Sequence, residues 1–396
     1  MEKYAGFRMP QTIHYGRQAF EEIGKEAKLR GEKALIISDK IMDKLGYINQ
    51  ACDYLKQAGV KHAVYVGVES EPTDIYVAEA LDLFEKENCD VVISLGGGSC
   101  IDTAKAIAVL VSNGGYIGDY TGGAKIAAAA PIPHIAIPTT AGTGSEATDA
   151  TVIMNTTKDV KVMIKQPAFL PGVAIVDPIL TQSSPKSVTA ATGVDALSHA
   201  VEAYLSKCSQ PMTDTLALSA MQLIVDNLQT AYEDGENVDA REAMSLGALQ
   251  AGIAFSNASV CLVHGMSRPI GALFHVPHGF SNAMLLPAVL EYSKDASIDR
   301  LADLGRIFDK TAENLSDEEA ADFAVSSVKK LCLSLRIPNL KAWGIDEETF
   351  ESAIPKMAED ALASGSPRNN PIVPEQADIE SLYKTCYAYS FEVQKK

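Results

Sequence analysis

Short apolar runs rich in β-branched residues alternate with amphipathic stretches from the N-terminus to about residue 180. Lys33-Ala-Leu-Ile-Ile-Ser-Asp39 reads as a buried strand ending in an acid. Over 41–58, the residues Ile41, Leu45, Ile48, Cys52 and Leu55 recur at helical spacing and predict one helix. His62 to Gly67 and Asp90 to Leu95 predict two more strands, with a helix from Thr73 to Asn88 between them and a turn at Gly96-Gly97-Gly98. Ile126 to Thr140 is the most apolar region, and Pro131, Pro133 and Pro138 punctuate it as a buried strand with its turns. Strands separated by helical stretches imply a parallel sheet wrapped by helices.

From about Gln182 the pattern turns to helical periodicity with few strand-like runs. Ser184-Pro185 marks a helix start. Helices are predicted over 187–206, 212–232, 240–258, 281–293, 297–312, 318–335 and 348–364, and a loop from Ser364 to Pro371 precedes a last short helix. The expected organisation is an α/β nucleotide-binding domain with a Rossmann-like parallel sheet over 1–182 and an all-α domain over 183–396.

Composition narrows the partners. The chain has 396 residues, 47% of them hydrophobic, enough for two or three domains at ~150 residues each. Lys and Arg total 34 against 51 Asp and Glu, a net charge of −17. Such acidity opposes binding to nucleic-acid backbones and anionic lipid. No stretch of ~20 apolar residues reads as a membrane span, and the opening MEKYAGFRMPQTIHYG lacks the apolar core of a signal peptide. A cytoplasmic protein with no nucleic-acid or membrane partner is expected. Seven scattered cysteines without CxxC spacing indicate neither a disulfide framework nor a zinc knuckle, and Cys100 and Cys261 read as packing residues.

Two groups of residues carry chemistry. In the first half, Gly96-Gly97-Gly98-Ser99 opens a helix with Asp102 and Lys105 in its first turns. Glycines there let backbone approach a diphosphate at a helix N-terminus; a plain tight turn fits as well, and the spacing is not GxGxxG. Pro138-Thr139-Thr140-Ala-Gly-Thr143-Gly-Ser145 offers hydroxyls to a cofactor's phosphates and ribose. Asp39 could accept from both adenosine ribose hydroxyls and repel a 2′-phosphate, or cap the following helix.

In the second half, Gly193-Val-Asp195-Ala-Leu-Ser-His199-Ala-Val-Glu202 places Asp195 and His199 one helical turn apart. Further on lie Val263-His264-Gly-Met-Ser-Arg268-Pro-Ile-Gly271 and His275-Val-Pro277-His278-Gly279. One Asp oxygen with two or three imidazoles suits a divalent transition ion. Alone, the Asp195/His199 pair also fits a helix-surface contact, and His278 between Pro277 and Gly279 reads as loop-like.

Taken together these runs resemble the iron-dependent (group III) alcohol dehydrogenases, of glycerol dehydrogenase/dehydroquinate synthase-like fold, over nearly the whole chain. The likeness rests on the run from Gly96 to Lys105, that from Pro138 to Glu146, that from Gly193 to His199, and Val263-His264-Gly-Met with Pro277-His278-Gly279. It implies metal ligands Asp195, His199, His264 and His278, and cofactor contacts from Asp39, Gly96, Gly97, Gly98, Ser99, Asp102, Thr139, Thr140, Thr143 and Lys161. The expected cofactors are NAD(H), favoured over NADP by Asp39, and Fe²⁺, with Zn²⁺ equally compatible by ligand type. The implied activity is hydride transfer between nicotinamide and a small primary alcohol or short aldehyde, in a homodimer or higher homo-oligomer.

One position departs from the family. Many members carry a histidine four residues after the third ligand, where this chain has Arg268. His275 is then the candidate proton relay. Arg268 could bind the carboxylate, sulfonate or phosphonate tail of a short aldehyde, contact the cofactor's diphosphate, or pair with a structural acid. A metal- and NAD-using lyase of the same fold and a non-catalytic nucleotide- or metal-binding regulator are the competing functions.

Overall fold

Val91-Val-Ile-Ser-Leu-Gly96 has nothing charged along its length and is buried at every position, as a strand covered on both faces must be. In the computed structural model, which describes residues 4–69, 71–158 and 160–393, it is the fourth strand of a parallel sheet. The strands and helices of the first unit are β1 (Thr12–Tyr15), α1 (Ile23–Lys28), β2 (Lys33–Ile37), α2 (Lys40–Lys44), α3 (Tyr47–Gln57), β3 (Lys61–Tyr65), α4 (Asp74–Lys86), β4 (Val91–Gly96), α5 (Gly98–Asn113), β5 (His134–Pro138), β6 (Ala150–Asn155), β7 (Val160–Lys165) and β8 (Val173–Val176). Among the described residues six strands run in the order β1-β8-β5-β4-β2-β3, all pairs parallel, and β6 and β7 form a separate antiparallel pair.

The alternation of side chains along each strand sorts the core into two. Leu35, Ile37 and Val92 pack with Val77, Phe84, Ala104 and Ile107 of α4 and α5. Ala34, Ile36, Val91, Ile93 and Leu95 pack with Ile23, Ile48, Ala51 and Leu55 of α1 and α3. The connections leaving β2 and β4 therefore lie on opposite faces. In open α/β sheets a crevice forms at the carboxyl ends of such a strand pair, and ligands bind there. Asp39 follows β2 at that end, and Gly96 closes β4. Inside the sheet, Ser94 Oγ lies 2.8 Å from His134 Nε2, and burial pulls that imidazole down to about 3.

The helix expected over 41–58 is two. Gly46 breaks it with φ +83°, a conformation glycine adopts without strain. Ile41 and Leu45 consequently leave the apolar face and are exposed. The β6–β7 pair and the edge strand β1 lacked a sequence signal of their own.

The chain divides between Ser184 and Pro185, and the described residues before Arg8 belong with the second unit, where Gln210 Nε2 donates to the Gly6 carbonyl at 3.1 Å. That unit comprises α6 (Lys186–Leu205), α7 (Pro211–Glu233), α8 (Val238–Ala258), α9 (Leu262–Phe274), α10 (His278–Ser293), α11 (Ile298–Phe308), α12 (Asp317–Ser334), α13 (Leu340–Trp343), α14 (Glu347–Ala363) and α15 (Gln376–Tyr387). α6 is buried continuously from Val194 to Leu205 and packs against α7, α8 and α10. The helix expected to reach 312 stops at Phe308, where Asp309 turns extended and caps a short 3₁₀ segment. α9 was not expected; Gly265, Pro269 and Gly271 hide its periodicity, yet Pro269 sits inside it. No single helix among the described residues is long and apolar enough to cross a membrane.

Candidate metal centre and glycine-rich turn

A buried helix has no water to offer its polar side chains, so acids and histidines on α6 must find partners within the unit. Asp195, His199 and Glu202 follow one another at i, i+4 and i+7 and lie along one stripe of α6, each almost fully buried. The N-terminal turn of α9 and the first two turns of α10 face that stripe. His264 comes from the former and His278 from the latter, where it is the first helical residue and not the loop position expected of it.

Gly279 explains how α10 comes so near. A Cβ at that position would lie 2.9 Å from the Ala191 carbonyl oxygen and 3.0 Å from its carbon, both α6 backbone. Only a glycine permits this approach, and the approach carries the adjacent His278 to the stripe. One ligand atom each from Asp195, His199, His264 and His278 lies within 4.8 Å of the others. The rings stack, His199 on His264 with centroids 4.3 Å apart and on Phe255 at 4.2 Å, while His264 and His278 are 5.4 Å apart.

Asn282, one turn beyond His278 and fully buried, donates from Nδ2 to Asp195 Oδ1 at 2.6 Å. The same nitrogen lies 3.1 Å from Nε2 of both His264 and His278. Three lone pairs thus converge on one small volume, while Asn282 Oδ1 is buried with no hydrogen-bond partner among the described residues. One carboxylate and three imidazoles with converging lone pairs fit a divalent transition ion.

On the far side of His264 stands Glu202. Its Oε1 accepts from the Val263 backbone N–H at 2.6 Å and its Oε2 from His264 Nδ1 at 2.5 Å. Cys261, at the N-cap of α9, provides no side-chain cap, so this carboxylate serves the open amide instead. Burial pulls the His264 imidazole down, and the carboxylates of Glu202 and Asp195 beside it more than reverse this, lifting it to about 9 without a metal. Burial pushes Asp195 up, and the three histidines around it reverse this, holding it well below the usual carboxylate range.

The structure places Arg268 one turn after His264 on α9, half-buried, donating to Ser366 Oγ at 3.0 Å. Burial lowers its guanidinium to about 10 against the opposing pull of Glu202. His275 ends α9 in a left-handed conformation, φ +53°, and is exposed. A second set of neighbouring groups, His14, Glu22 and Glu26, is already engaged internally, since Glu26 is bonded to His14 and paired with Arg30.

In the first unit the glycine turn enters α5 directly, Gly97 being the N-cap. A Cβ on Gly98 would lie 2.9 Å from Thr143, and one on Gly97 would lie 3.8 Å from Thr140. The turn and the 138–145 loop are thereby in contact. Thr139, next to Thr140, is buried. Ser99 donates nothing to the turn; its carbonyl accepts from Thr103. Asp39 uses Oδ1 to cap α2, accepting from Ile41 and Met42 N–H, while Oδ2 lies 3.7 Å from Cys100 Sγ. The helix cap thus uses one oxygen, and the other accepts from the Cys100 thiol.

Asp102 and Lys105 point inward. Asp102 accepts from Ser145 Oγ at 2.5 Å and Val152 N at 2.9 Å, and Lys105 donates to Ser145, Thr148 and the Ala150 carbonyl. They brace the loop against α5. Burial lowers the Lys105 ammonium and raises Asp102, and it lifts nearby Glu146 to about 7. Lys161, on β7, forms an ion pair with Glu71. Glu202 and Asn282 were not singled out by the sequence, although helical spacing from Asp195 and His278 is a signal that could have found them.

Comparison with known proteins gives two family matches. The Fe-containing alcohol dehydrogenase family, C-terminal, matches residues 189–387, and iron-containing alcohol dehydrogenase matches residues 10–178. The chain is 37% identical to the 1,3-propanediol dehydrogenase of Citrobacter freundii over 96% of its own length and 98% of the relative's. It is 37% identical, with the same coverage, to the NAD-dependent methanol dehydrogenase of Bacillus methanolicus. A crystal structure of 1,3-propanediol oxidoreductase superposes with a TM-score of 0.93 at 36% identity, covering 97% of this chain and all of that one.

Proposed function

We propose, for a chain that belongs to the iron-containing alcohol dehydrogenase family, that Asp195, His199, His264 and His278 hold the catalytic ion and that small primary alcohols and short aldehydes are its substrates. The protein is an oxidoreductase, an alcohol dehydrogenase and aldehyde reductase that works with NAD(H) and iron. The convergence of four ligand atoms within 4.8 Å carries the metal assignment. When bound, the ion acidifies an alcohol hydroxyl or polarises a carbonyl, and the nicotinamide takes or gives the hydride.

The residues divide the work. Asp195 brings one negative charge to the ion, and the three imidazoles remain neutral ligands. Glu202 fixes the His264 ring from its far nitrogen, and in metal-free protein Asn282 Nδ2 answers the converging atoms of Asp195, His264 and His278. In the first unit Gly96, Gly97, Gly98 and Ser99 present the α5 amides to a diphosphate, Thr139, Thr140 and Thr143 line the adjoining loop, and Asp39 Oδ2 accepts from the adenosine ribose. Asp102 acts by bracing that loop, and Lys161 by anchoring β7. His275, exposed at the end of α9, is positioned to pass a proton to water. The Arg268 hydrogen bond to Ser366, with Glu202 the acid whose charge acts on it, supports a structural role over recognition of an anionic substrate tail. A cytoplasmic homodimer is the assembly in keeping with this reading.

An NAD(H)-coupled screen of small alcohols and aldehydes tests it, with Fe²⁺, Zn²⁺ and chelator arms. Turnover abolished by chelator and restored by the ion is the expected result. Cofactor binding without turnover would instead indicate a regulator, and product formation without net NADH a lyase.

A further inference from the structure

We propose that Glu202 is a positioning residue that fixes which nitrogen of His264 faces the metal site. The inference rests on the ligand assignment above. A histidine ligates through a lone pair, so one ring nitrogen must be free of its proton, and the partner of the other nitrogen decides which. Glu202 is an acceptor on both oxygens and nearly fully buried. One oxygen is held by the Val263 N–H at 2.6 Å, which locks the carboxylate to the start of α9. The other lies 2.5 Å from His264 Nδ1, which keeps a proton on that nitrogen. In the neutral ring that a metal would take, Nε2 is then the atom left without a proton, and it is Nε2 that converges with Asp195 Oδ1 and His278 Nε2 around Asn282 Nδ2. Because the same carboxylate holds the backbone and the ring of consecutive residues, it sets the position of the ring as well as its proton.

The arrangement makes a sharp demand on residue 202. A glutamine has the same shape but only one acceptor atom. In either orientation of its amide it can satisfy Val263 N–H or His264 Nδ1–H, never both. Oriented toward Val263, it donates to Nδ1 and drives the proton onto Nε2, where it blocks the ligand position.

The test is metal binding, read apart from turnover. Metal-free protein is titrated with Zn²⁺ in the parent, Glu202→Gln and Glu202→Asp, and each metal-free form is melted. Affinity of Glu202→Gln should fall roughly 10- to 100-fold in protein whose metal-free form still melts cooperatively, and Glu202→Asp, still acceptor-only, should recover part of the loss. Parent-like affinity in Glu202→Gln, or equal losses in both variants, overturns the proposal while leaving the four-ligand assignment standing. Failure of the parent itself to bind Zn²⁺ removes that assignment instead. Should Glu202→Gln not fold, ¹⁵N-histidine spectra of the zinc-loaded parent decide. A proton on Nδ1 of His264 supports the proposal, and one on Nε2 overturns it.

Discussion

Asn282 Nδ2 and Asp195 Oδ1 lie 2.6 Å apart on facing helices, joining residues 87 positions apart in sequence. In metal-free protein this amide is a neutral donor to a buried carboxylate. Asn282→Ala should therefore lower metal-free stability by about 1–3 kcal/mol, read from urea midpoints. Loading with Zn²⁺ should narrow the difference, since the ion then answers the carboxylate. An equal gap with and without metal would remove the special role of the pair.

Removing a ligand should empty the site and spare the scaffold. His278→Ala is expected to abolish bound metal and alcohol turnover with an unchanged circular dichroism spectrum, and His264→Ala to do the same. Elemental analysis is the check. Full metal occupancy in either variant would sink the assignment.

Asp39 divides its oxygens between a helix cap and the Cys100 thiol, and this separates two effects. Asp39→Asn retains an acceptor for Ile41 and Met42 and removes the charge; it should narrow the preference for NADH over NADPH without loss of stability. Asp39→Ala should narrow it as well and cost about 1 kcal/mol through the lost cap. The ratio of kcat/KM for the two cofactors is the measurement, and equal use of NADPH by the parent counts against the reading.

Arg268→Leu should leave unchanged the ratio of kcat/KM between matched anionic and neutral short aldehydes, while lowering the melting temperature through loss of the Ser366 bond. A parent preference for the anionic substrate that disappears in the variant would return Arg268 to the substrate.

Burial raises the Glu146 carboxyl from its ordinary 4.5 to about 7. Between those limits the folded protein holds the proton more tightly than the unfolded chain, so this group's contribution falls as pH rises from about 4.5 to about 7. The drop is on the order of 3 kcal/mol. The stability difference between the parent and Glu146→Gln, read from urea midpoints at pH 4.5 and pH 7, should change by about that amount.

The four residues of the candidate metal centre were legible because acids and histidines are conspicuous in apolar, helical sequence, and because Asp195 and His199 stand a turn apart. The sheet strands β2 to β5 were legible from their apolar runs, whereas β1 and β8 were not predicted. What escaped depended on meetings the spacing cannot announce. Glu202 reaches Val263 and His264 across about sixty residues, and its role exists only once α9 starts where it does. α9 itself was hidden by glycines and a proline, and the break at Gly46 by a periodicity that runs across it. His278 looked like a loop residue because the proline before it begins a helix here.

The Ser94–His134 contact within the sheet has a consequence for acid tolerance. His134 stays neutral down to about 3, whereas an unfolded histidine takes up its proton near 6.5, so its contribution to stability is lost as pH falls between those values. Glu146 acts in the opposite sense, strengthening the fold on acidification. Across pH 4.5 to 6.5 the contributions of these two groups have opposite slopes. Glu146→Gln should therefore be more sensitive to mild acid than the parent, since the histidine's contribution is no longer offset.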